Sequence, residues 1–358
     1  MNDIVIIGGG IAGLSVAARL APQANVILLE AEDQFGYHAS GRSAAVFIEK
    51  YGNEVVRELN SASVPYLKSA AGGVLSPRGM MLLGRRDESE DFYSEARSFG
   101  LEPIDLAEAI AKVPLLAHDK LGFAAFREDV FDIDTDLFLQ SFRRDAKSHG
   151  AKLHTNAAVT AITSKNGRWV ITAGAQVFEA DVLVNAAGAW ADAVAGLAGL
   201  EPIGITPFRR SMARIPVPGG HDASAWPLLN GVNERWYGKP DAGQLLVSPA
   251  DEDPMLPQDA WADDMVLAEG LSRFEELMRH PVQRITANWA GLRSFAPDHA
   301  LVIGPEPAHP SFFWLAGQGG YGFQTAAAAS QLAADLILGS TPQLEPMLCA
   351  QLSPERLR

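Results

Sequence analysis

The sequence predicts an α/β fold: a Rossmann-type nucleotide-binding domain into which an α+β domain with an antiparallel sheet is inserted. Three observations support this prediction. The apolar run 4–7 leads directly into Gly8-x-Gly10-x-x-Gly13 and a helical stretch. Residues 200–295 combine clustered prolines with short alternating strands. A second glycine-rich turn at 317–324 then opens another helix, so the first domain is expected to be discontinuous.

The first β-α-β unit, residues 1–30, carries the residue types of an ADP-ribose site. Gly8 permits a tight turn, Gly10 lets a pyrophosphate approach the helix N-terminus, and Gly13 lets helix and strand pack closely. Glu30 closes the second strand, where a carboxylate accepts hydrogen bonds from a ribose diol and repels a 2′-phosphate. The unit therefore predicts a site for NAD or FAD.

The remaining elements follow from periodicity and from capping residues. Residues 31–52 are rich in glycine and serine and are expected to turn helical, as are residues 53–70. Asp134 or Thr135 caps a predicted helix that ends before Gly150. Further strands are predicted at 152–154, 158–163, 169–172, 176–179, 182–184, 234–238, 245–248, 300–304 and 312–316, and a last helix at 325–338. Strands 234–238 and 245–248 are expected to form a hairpin across 239–243.

Composition disfavours several classes of partner. The chain has 358 residues, enough for one large or two medium domains, and a net charge of −14. A chain this acidic, with no basic run, is not expected to bind nucleic acid. No apolar stretch reaches the length that spans a bilayer, and the first strand begins too early to be a signal peptide. The single cysteine, Cys349, allows no internal disulfide, so a reducing, cytoplasmic location is expected.

The turn at 317–324 discriminates between the two cofactors. Gly319, Gly320 and Gly322 allow backbone amides to point at a ligand from a helix N-terminus, which carries about half a positive charge. Such a helix end stabilises the negative charge that a flavin gains at N1 and O2 on reduction. A long cofactor needs anchors at both ends, so the pattern favours FAD over NAD.

Six motifs follow one another along nearly the whole chain. After the first β-α-β unit they are Gly36-Tyr-His-Ala-Ser-Gly-Arg-Ser-Ala-Ala45, Asn185-Ala-Ala-Gly-Ala-Trp190, Lys239-Pro-Asp-Ala-Gly243, Trp289-Ala-Gly-Leu-Arg-Ser-Phe295 and Gln318-Gly-Gly-Tyr-Gly-Phe-Gln-Thr325. In these motifs the chain resembles the D-amino-acid oxidase and dehydrogenase family of FAD enzymes, nearest to its bacterial D-arginine dehydrogenase branch. The resemblance implies a Rossmann-type FAD-binding domain of residues 1–75, 135–200 and 290–358, and a substrate-binding domain of residues 76–134 and 201–289.

The resemblance also implies how FAD is held. The Gly41-Arg42-Ser43 turn suits a phosphate, and the resemblance places it along the pyrophosphate and the flavin edge. Cys349 lies beyond the last flavin motif, and His38 is expected to bond the backbone, so FAD is expected to be non-covalent. No metal ligand is expected. The expected cofactor-binding residues are Gly8, Gly10, Ile11, Ala12, Gly13, Glu30, Ala31, Gly41, Arg42, Ser43, Ala44, Ala45, Val159, Ala187, Gly188, Trp190, Arg293, Gly319, Gly320, Tyr321, Gly322, Phe323, Gln324 and Thr325.

Two arginines are candidates for binding a substrate carboxylate. Arg210 and Arg293 lie in otherwise apolar predicted strands, where an unpaired guanidinium is costly. An arginine fork binds a carboxylate bidentately, although a strand arginine also serves in structural salt bridges. Arg209, on the opposite face from Arg210, is expected to be structural. The resemblance implies a catalytic set in which two tyrosines join the carboxylate-binding arginines and the last two residues lie near the substrate amine: Tyr51, Arg210, Tyr237, Arg293, Gly320 and Gln324.

The residues expected to contact the substrate side chain depart from the D-arginine dehydrogenase pattern. That branch has a glutamate at the position of Gly79 and a histidine at that of Val46. A guanidinium buried without a carboxylate is costly, so neutral D-amino acids are expected to be better substrates than D-arginine. Glu49 is an alternative partner for a cationic side chain. Arg235, expected on the same strand face as Tyr237, is an alternative partner for an acidic one.

The expected reaction is the oxidative deamination of a neutral D-amino acid. A hydride passes from Cα to flavin N5, and the imino acid hydrolyses to a 2-oxo acid and ammonia, with no side-chain base required. Two alternative reactions are oxidation of a secondary amine, such as an N-alkyl amino acid or hydroxyproline, and oxidation of a 2-hydroxy acid. A third alternative is a flavin subunit of a larger dehydrogenase complex. The electron acceptor, oxygen or a quinone, is left open.

Overall fold

The computed structural model describes residues 2–358, whose strands divide mainly between two large sheets. The strands are β1 (Asp3–Ile7), β2 (Asn25–Leu29), β3 (Val46–Phe47), β4 (Leu75–Pro77), β5 (Met80–Gly84), β6 (Glu102–Ile104), β7 (Phe123–Arg127), β8 (Phe131–Ile133), β9 (Lys152–His154), β10 (Val159–Lys165), β11 (Arg168–Ala173), β12 (Gln176–Ala180), β13 (Val182–Asn185), β14 (Thr206–Pro216), β15 (Leu228–Gly231), β16 (Tyr237–Asp241), β17 (Gln244–Ser248), β18 (Asp253–Pro254), β19 (Ala287–Phe295), β20 (Val302–Glu306) and β21 (His309–Ala316). The α-helices are α1 (Ile11–Leu20), α2 (Glu54–Ser69), α3 (Ser89–Phe99), α4 (Leu106–Lys112), α5 (Thr135–Ser148), α6 (Ala191–Leu197), α7 (Asp264–Glu275), α8 (Gly322–Leu338) and α9 (Pro346–Leu352).

The first large sheet has the strand order β20-β21-β13-β1-β2-β9. Its strands are parallel except that β20 runs antiparallel to β21. They are apolar on both faces because both faces are covered. Ile4 and Ile6 pack in the cluster that holds α1, α5 and α8, whereas Val5 packs in the cluster around Trp169 and Trp314. The carboxyl ends of β1 and β2 meet at one edge, where ligands bind in sheets of this kind.

The second large sheet has the order β18-β14-β17-β16-β15-β5-β7-β6, with β19 paired to β14. One face packs against α7 through a cluster that includes Trp236 and Phe274. Side chains alternate between the two faces of a strand, so every second residue of these strands projects from the opposite face. That face borders a cavity. Two residues from each of β14, β15 and β16 project there: Arg210, Met212, Leu228, Asn230, Tyr237 and Lys239.

Two smaller three-stranded sheets complete the strand pairing. One is the meander β10-β11-β12, and the other has the order β3-β8-β4. The helix predicted from Asp134 is α5, in which the Asp134 side chain accepts a hydrogen bond from the Leu137 amide. Gly150 follows that helix with φ of +88°. None of the helices in residues 2–358 has both the length and the apolar character needed to cross a membrane.

The predicted helical turn within residues 31–52 is wrong. Residues 31–42 form consecutive bends and turns, in which the Gly41 amide donates to the Gly36 carbonyl at 2.6 Å, and residues 43–45 have no regular structure. Residues 46 and 47 then extend as β3 and pair with β8, and helical structure begins only at Glu54. The pairing of β3 with β8 outweighs the helical preference of this segment, because intrinsic helix propensity contributes little to the free energy of folding compared with tertiary contacts.

Two predicted boundaries also move. The hairpin strand predicted at 234–238 is β16, which starts at Tyr237, because Val232–Glu234 forms a short 3₁₀ turn. Residues 239–241 are therefore in the strand, and the hairpin turn contains only Ala242 and Gly243. β19 crosses the predicted domain boundary at residue 290 and pairs with β14 along its whole length. We therefore place that boundary after Phe295.

Candidate active site

A cavity of about 660 Å³ extends from the carboxyl ends of β1 and β2 to the open face of the antiparallel sheet. It brings together residues as distant in sequence as Glu30, Arg210 and Gln324. Most of the residues predicted for the site line this cavity. The four that do not are Gly13, Gly41, Tyr321 and Thr325.

Gly13 supports the cavity wall from behind. A Cβ atom at this position would lie 1.9 Å from the Gly8 carbonyl oxygen, so a side chain would separate α1 from β1. Gly8 itself has φ of +108°, and its amide donates to the Leu29 carbonyl at 2.9 Å. The close approach predicted from the glycine spacing is therefore present.

The start of α1 presents amides to the cavity. The Ile11 amide donates to Ser40 Oγ at 3.0 Å. The amides of Gly10 and Ala12 have no hydrogen-bond acceptor among residues 2–358. Unbonded amides at a helix N-terminus attract a phosphate, so this end of the cavity fits a pyrophosphate. Ser40 was not among the predicted residues, although it lies in the quoted 36–45 motif.

Glu30 closes the same end. It is 9% exposed, and its two carboxylate oxygens accept hydrogen bonds from the amides of Gly9 at 2.7 Å and Glu32 at 2.9 Å. Each oxygen has a second acceptor position. The backbone thus fixes the carboxylate while leaving it able to accept hydrogen bonds from a ribose diol.

Arg42 lines the cavity, but its guanidinium is already engaged by the protein. It donates to the carbonyl oxygens of Tyr37, Ala260 and Ala290 and pairs with the Asp259 carboxylate. Few donors therefore remain for a phosphate. The geometry favours a role for Arg42 in holding the 36–45 turn against β19 and the segment that precedes α7.

His38 also differs from expectation. Its Nε2 atom lies 2.8 Å from a Glu32 carboxylate oxygen, so it bonds a side chain rather than the backbone. Its ring centroid is 4.6 Å from that of Trp190, and both residues line the cavity.

The start of α8 is the second cluster of free amides. The Gly319 amide donates to the Ser294 carbonyl and the Tyr321 amide to the Gln318 carbonyl. The amides of Gly320, Gly322 and Phe323 have no acceptor among residues 2–358. This helix end can therefore stabilise negative charge on a ligand.

Gln324 and Thr325 fix the first turn of α8. The Gln324 Oε1 atom accepts a hydrogen bond from the Ile48 amide at 2.6 Å, which ties the helix to the segment after β3. The Thr325 hydroxyl donates to the Tyr321 carbonyl at 2.9 Å. Thr325 therefore contributes to the site only through the helix.

Arg210 and Arg293 project from neighbouring antiparallel strands. Arg210 is opposite Gly291, two residues from Arg293, so the two side chains share a face. Arg210 is 8% exposed, and its Nε and Nη1 atoms have no hydrogen-bond partner among residues 2–358. Its nearest carboxylate, that of the half-exposed Glu252, is 3.8 Å from Nη2. An acceptor for this guanidinium is therefore missing from the chain itself.

Arg209 lies on the other face of β14, as predicted. Its guanidinium pairs with Asp251 at 3.0 Å and with Asp253 at 2.6 Å. Asp251 also accepts hydrogen bonds from the amide and the hydroxyl of Ser211. Arg209 is therefore a structural residue.

Arg293 is held between Tyr51 and the α8 turn. A Cβ atom on Gly320 would lie 3.1 Å from the Arg293 Cζ atom, so glycine lets the turn approach the guanidinium. Burial lowers the pKa of Arg293, but attraction to Tyr51, Tyr237 and Glu234 outweighs it, and the pKa is raised overall. Burial raises the pKa of Tyr51, and the Arg293 charge offsets part of that rise. Arg293 is therefore charged, and the Tyr51 hydroxyl is a neutral donor.

Several further residues lining the cavity were not predicted. They come from the end of α3, from β14, β15 and β16, and from the turn before β16, and comprise Phe99, Met212, Leu228, Asn230, Glu234 and Lys239. The alternation of side chains along β14 and β15 would have identified Met212, Leu228 and Asn230 once the strands were known. Lys239 is 7% exposed, and its Nζ atom donates to Asp132 at 2.7 Å.

Three residues proposed to contact a substrate side chain lie elsewhere. Gly79 has φ of +72°, and a Cβ atom there would lie 2.9 Å from the Phe126 ring, outside the cavity lining. Glu49 accepts a hydrogen bond from the Ser61 hydroxyl on α2. Arg235 precedes β16 and pairs with Glu88, so it does not share a strand face with Tyr237. None of the three lines the cavity, so the structure gives no support for the expectation that they contact a substrate side chain.

Comparison with known proteins identifies sequence and fold relatives. A family model described as FAD dependent oxidoreductase (DAO) matches residues 3–336. Glycine oxidase of Pseudomonas putida is 24% identical over an alignment that covers 99% of this chain and 98% of that protein. N-methyl-L-tryptophan oxidase of Salmonella arizonae is also 24% identical, with the same coverage, 99% and 98%.

Solved structures share the fold over nearly the full length. L-proline dehydrogenase from P. horikoshii has a TM-score of 0.81 at 22% identity, covering 99% of this chain and 97% of that chain. Iminodiacetate oxidase from Chelativorans sp. BNC1 has a TM-score of 0.83 at 20% identity, covering 98% of both chains.

Proposed function

Because the chain belongs to the DAO family of FAD dependent oxidoreductases, we propose that it oxidises the Cα–N bond of an amino acid whose carboxylate is bound by Arg210 and Arg293. The observation that carries the proposal is the buried Arg210 guanidinium, in which Nε and Nη1 have no partner among residues 2–358. Leaving such donors unsatisfied is costly. A substrate carboxylate would satisfy them bidentately.

FAD is the cofactor of the family, and the residues of the cavity fit it. Glu30 would accept hydrogen bonds from the ribose, and the free amides at the start of α1 would bind the pyrophosphate. The free amides of Gly320, Gly322 and Phe323 would face the flavin edge that becomes negative on reduction. When bound, FAD supplies the hydride acceptor.

The side chains around Arg210 would position the substrate. Tyr51 and Tyr237 would donate their hydroxyls to the carboxylate already held by the two arginines, which fixes Cα in one orientation. The amine would lie toward the α8 turn, where the Gly320 carbonyl can accept a hydrogen bond from it. Hydrolysis of the imine product in water gives a 2-oxo acid and ammonia.

We further propose that the substrate is a D-amino acid with a neutral side chain. Three apolar side chains of the cavity lining, Phe99, Met212 and Leu228, are available to contact such a side chain. The D configuration rests on the sequence resemblance to the D-arginine dehydrogenase branch, carried by the motifs quoted above.

Anaerobic reduction of the bound flavin tests the proposal. We expect D-leucine, D-methionine or D-phenylalanine to bleach the flavin absorbance of the purified protein faster than D-arginine and D-lysine do. The panel includes the L-enantiomers, N-methyl amino acids and the matching 2-hydroxy acids. Failure of every amino acid and N-methyl amino acid to bleach the flavin would contradict the proposed reaction class. Faster bleaching by D-arginine than by D-leucine would contradict the proposed side-chain preference alone.

A secondary amine is the second candidate substrate. Related proteins include an N-methyl-L-tryptophan oxidase, an L-proline dehydrogenase and an iminodiacetate oxidase, and the same carboxylate-binding arginines would serve such substrates. A 2-hydroxy acid is less well matched, because its oxidation needs a base for the hydroxyl proton. His38 and Lys239, which line the cavity, are each paired with a carboxylate. Preferential bleaching by N-methyl amino acids would favour the secondary amine.

A further inference from the structure

We infer that Glu234 is a specificity-determining residue that binds the cationic nitrogen of the substrate, opposite the arginines that bind its carboxylate. This inference rests on the proposed amino-acid substrate. Glu234 lines the cavity, and its carboxylate makes no hydrogen bond or ion pair with any of residues 2–358. An acidic group in a cavity with two arginines makes the site complementary to a zwitterion rather than to a simple carboxylate.

The backbone around Glu234 is held in an unfavourable conformation. Asn233 and Glu234 have φ of +61° and +48°, and glutamate seldom adopts this left-handed region. Such strain persists where surrounding contacts impose it, and it clusters at functional sites. The strained conformation at Glu234 therefore points to a functional role of its side chain.

Two acids on α3 impose that conformation. Glu95 accepts a hydrogen bond from the Asn233 amide at 2.7 Å, and Asp91 accepts one from the Asn233 side chain at 2.9 Å. These bonds fix Asn233 toward the surface. Glu234, the next residue, is half-buried and lines the cavity.

The charges around Glu234 indicate which part of the substrate it meets. Burial is the main cause of the raised pKa of Tyr51 and of Tyr321, and the Glu234 carboxylate adds to both. The two tyrosine rings lie 5.2 Å apart at the corner where α8 begins, and Glu234 also attracts Arg293 in the same cavity. Glu252 also contributes to the pKa of Tyr321, but its nearest charged partner is Arg210. The proposed position of the substrate amine is at the same corner, beside Gly320.

The chemistry of the reaction gives a carboxylate there two effects. The amino acid arrives with a cationic ammonium, which must release one proton to solvent before the neutral amine can lose its Cα hydride to FAD. The hydride transfer then leaves the nitrogen in a cationic iminium. A nearby carboxylate attracts the arriving ammonium and stabilises the positive charge that develops as the iminium forms. It also repels a ligand that has a carboxylate but no amine.

A pair of ligands that differ only in the amine tests this inference. D-leucine and 4-methylpentanoate have the same carboxylate and side chain. For Glu234→Gln, which keeps the side-chain shape, we expect flavin reduction by D-leucine to fall about 10- to 100-fold in limiting rate over Kd. We expect 4-methylpentanoate, followed by the perturbation of flavin absorbance, to bind several-fold more tightly because the repulsion is removed.

The matched control is Glu90→Gln on α3. Glu90 is exposed and lies outside the cavity lining, so the variant removes one negative charge without touching the site. It should leave both ligands unaffected. Equal changes for both ligands in Glu234→Gln, or no change, would overturn the inference. A loss confined to D-lysine and D-arginine would overturn it as well, because Glu234 would then contact the side chain.

A second variant separates a ligand-binding role from a structural one. Glycine adopts φ of +48° without strain, so Glu234→Gly should fold with a Tm at least equal to that of the unaltered protein while discriminating poorly between the two ligands. A marked fall in Tm would show that Glu234 serves the fold. If no amine reduces the flavin of the unaltered protein, the proposed function fails, and the 4-methylpentanoate measurement still tests the Glu234 charge.

Discussion

Neighbouring arginines on β14 have different surroundings because side chains alternate along a strand. Arg209 faces Asp251 and Asp253, whereas Arg210 faces the cavity with two buried donors unsatisfied. The same residue type is thus structural at one position and available for a ligand at the next. The side-chain charge is the same at both positions. The difference is that two carboxylates lie within hydrogen-bonding distance of the Arg209 guanidinium and none lies within that distance of the Arg210 guanidinium.

Arg210→Lys and Arg293→Lys should each lower kcat/KM by about 30-fold or more, since a paired, desolvated charge contact is worth about 2 kcal/mol or more. Lysine keeps the positive charge but loses the planar fork that binds both carboxylate oxygens. Steady-state kinetics with D-leucine, together with the FAD content of each variant, would measure the effect. Arg209→Lys is the control and should keep kcat/KM. Unaltered kinetics in either cavity variant would show that the arginine does not bind substrate.

The sequence was most informative at residues whose chemistry depends on local geometry. The roles of Gly8 and Gly13 follow from the turn that joins a strand to a helix, and the structure contains that turn. Arg42 and Gly79 could not be placed from sequence, because their surroundings come from distant segments. The Arg42 guanidinium bonds to Asp259 and to the carbonyls of Ala260 and Ala290, all distant in sequence. The Phe126 ring fills the space beside Gly79.

At the scale of elements, the segment between β15 and β16 shows how two α3 side chains outside the cavity, Asp91 and Glu95, shape its lining. Strand prediction placed residues 234–238 in a regular strand. The α3 acids instead hold residues 232–234 as a 3₁₀ turn and delay β16 until Tyr237. A sequence pattern does not reveal such a contact, because α3 and the turn are more than 130 residues apart.

Glu95, one of these α3 acids, should make stability depend on pH. Burial raises its pKa from 4.5 to about 7; the hydrogen bond from Asn233 offsets part of the rise, and the charges of Glu234, Asp91 and Glu88 add to it. Below pH 4.5 the carboxyl is protonated in both the folded and unfolded states. Between pH 4.5 and about 7 the folded protein retains a proton that the unfolded chain has lost, so this contribution falls as pH rises.

Glu95→Gln removes that titration and keeps an oxygen to accept the Asn233 hydrogen bond. We therefore expect the variant to have a higher Tm than the unaltered protein at pH 8 and a nearly equal Tm at pH 4, below the unfolded-state pKa of 4.5. Thermal unfolding at both pH values would measure the difference. The exposed Glu90→Gln variant should show no difference at either pH. A lower Tm for Glu95→Gln at pH 8 would mean that the ionised carboxylate stabilises the turn.

At the scale of the whole molecule, the nucleotide-binding sheet draws its strands from three separate parts of the chain. β1 and β2 come from the start, β9 and β13 from the middle, and β20 and β21 from the end. The return of a glycine-rich turn in the last part predicted this discontinuity. The boundary of the inserted domain was harder to predict, because β19 belongs to the antiparallel sheet only through its pairing with β14, about 80 residues earlier in the chain.

The cavity crosses between the two sheets, so a bound cofactor should link them. FAD bound at a free concentration of 100 times its Kd would stabilise the folded protein by about 2.7 kcal/mol. Removal of FAD should accordingly lower the Tm by several degrees, and added FAD should restore it. ADP-ribose is a useful control, because it would occupy only the end at Glu30 and α1. A Tm unaffected by FAD removal would contradict a cofactor bridging both sheets.

Removal of FAD without cleavage of a covalent bond requires that FAD be bound non-covalently. Cys349 is on α9, where its Sγ contacts the Leu344 carbonyl and packs near the core, and it does not line the cavity. His38 does line the cavity, but its Nε2 is held by Glu32. Acid or heat denaturation should therefore give a colourless precipitate and a supernatant with FAD of unaltered mass. Yellow precipitated protein would contradict this, and mass analysis of the peptides that contain His38 and Cys349 would then locate the bond.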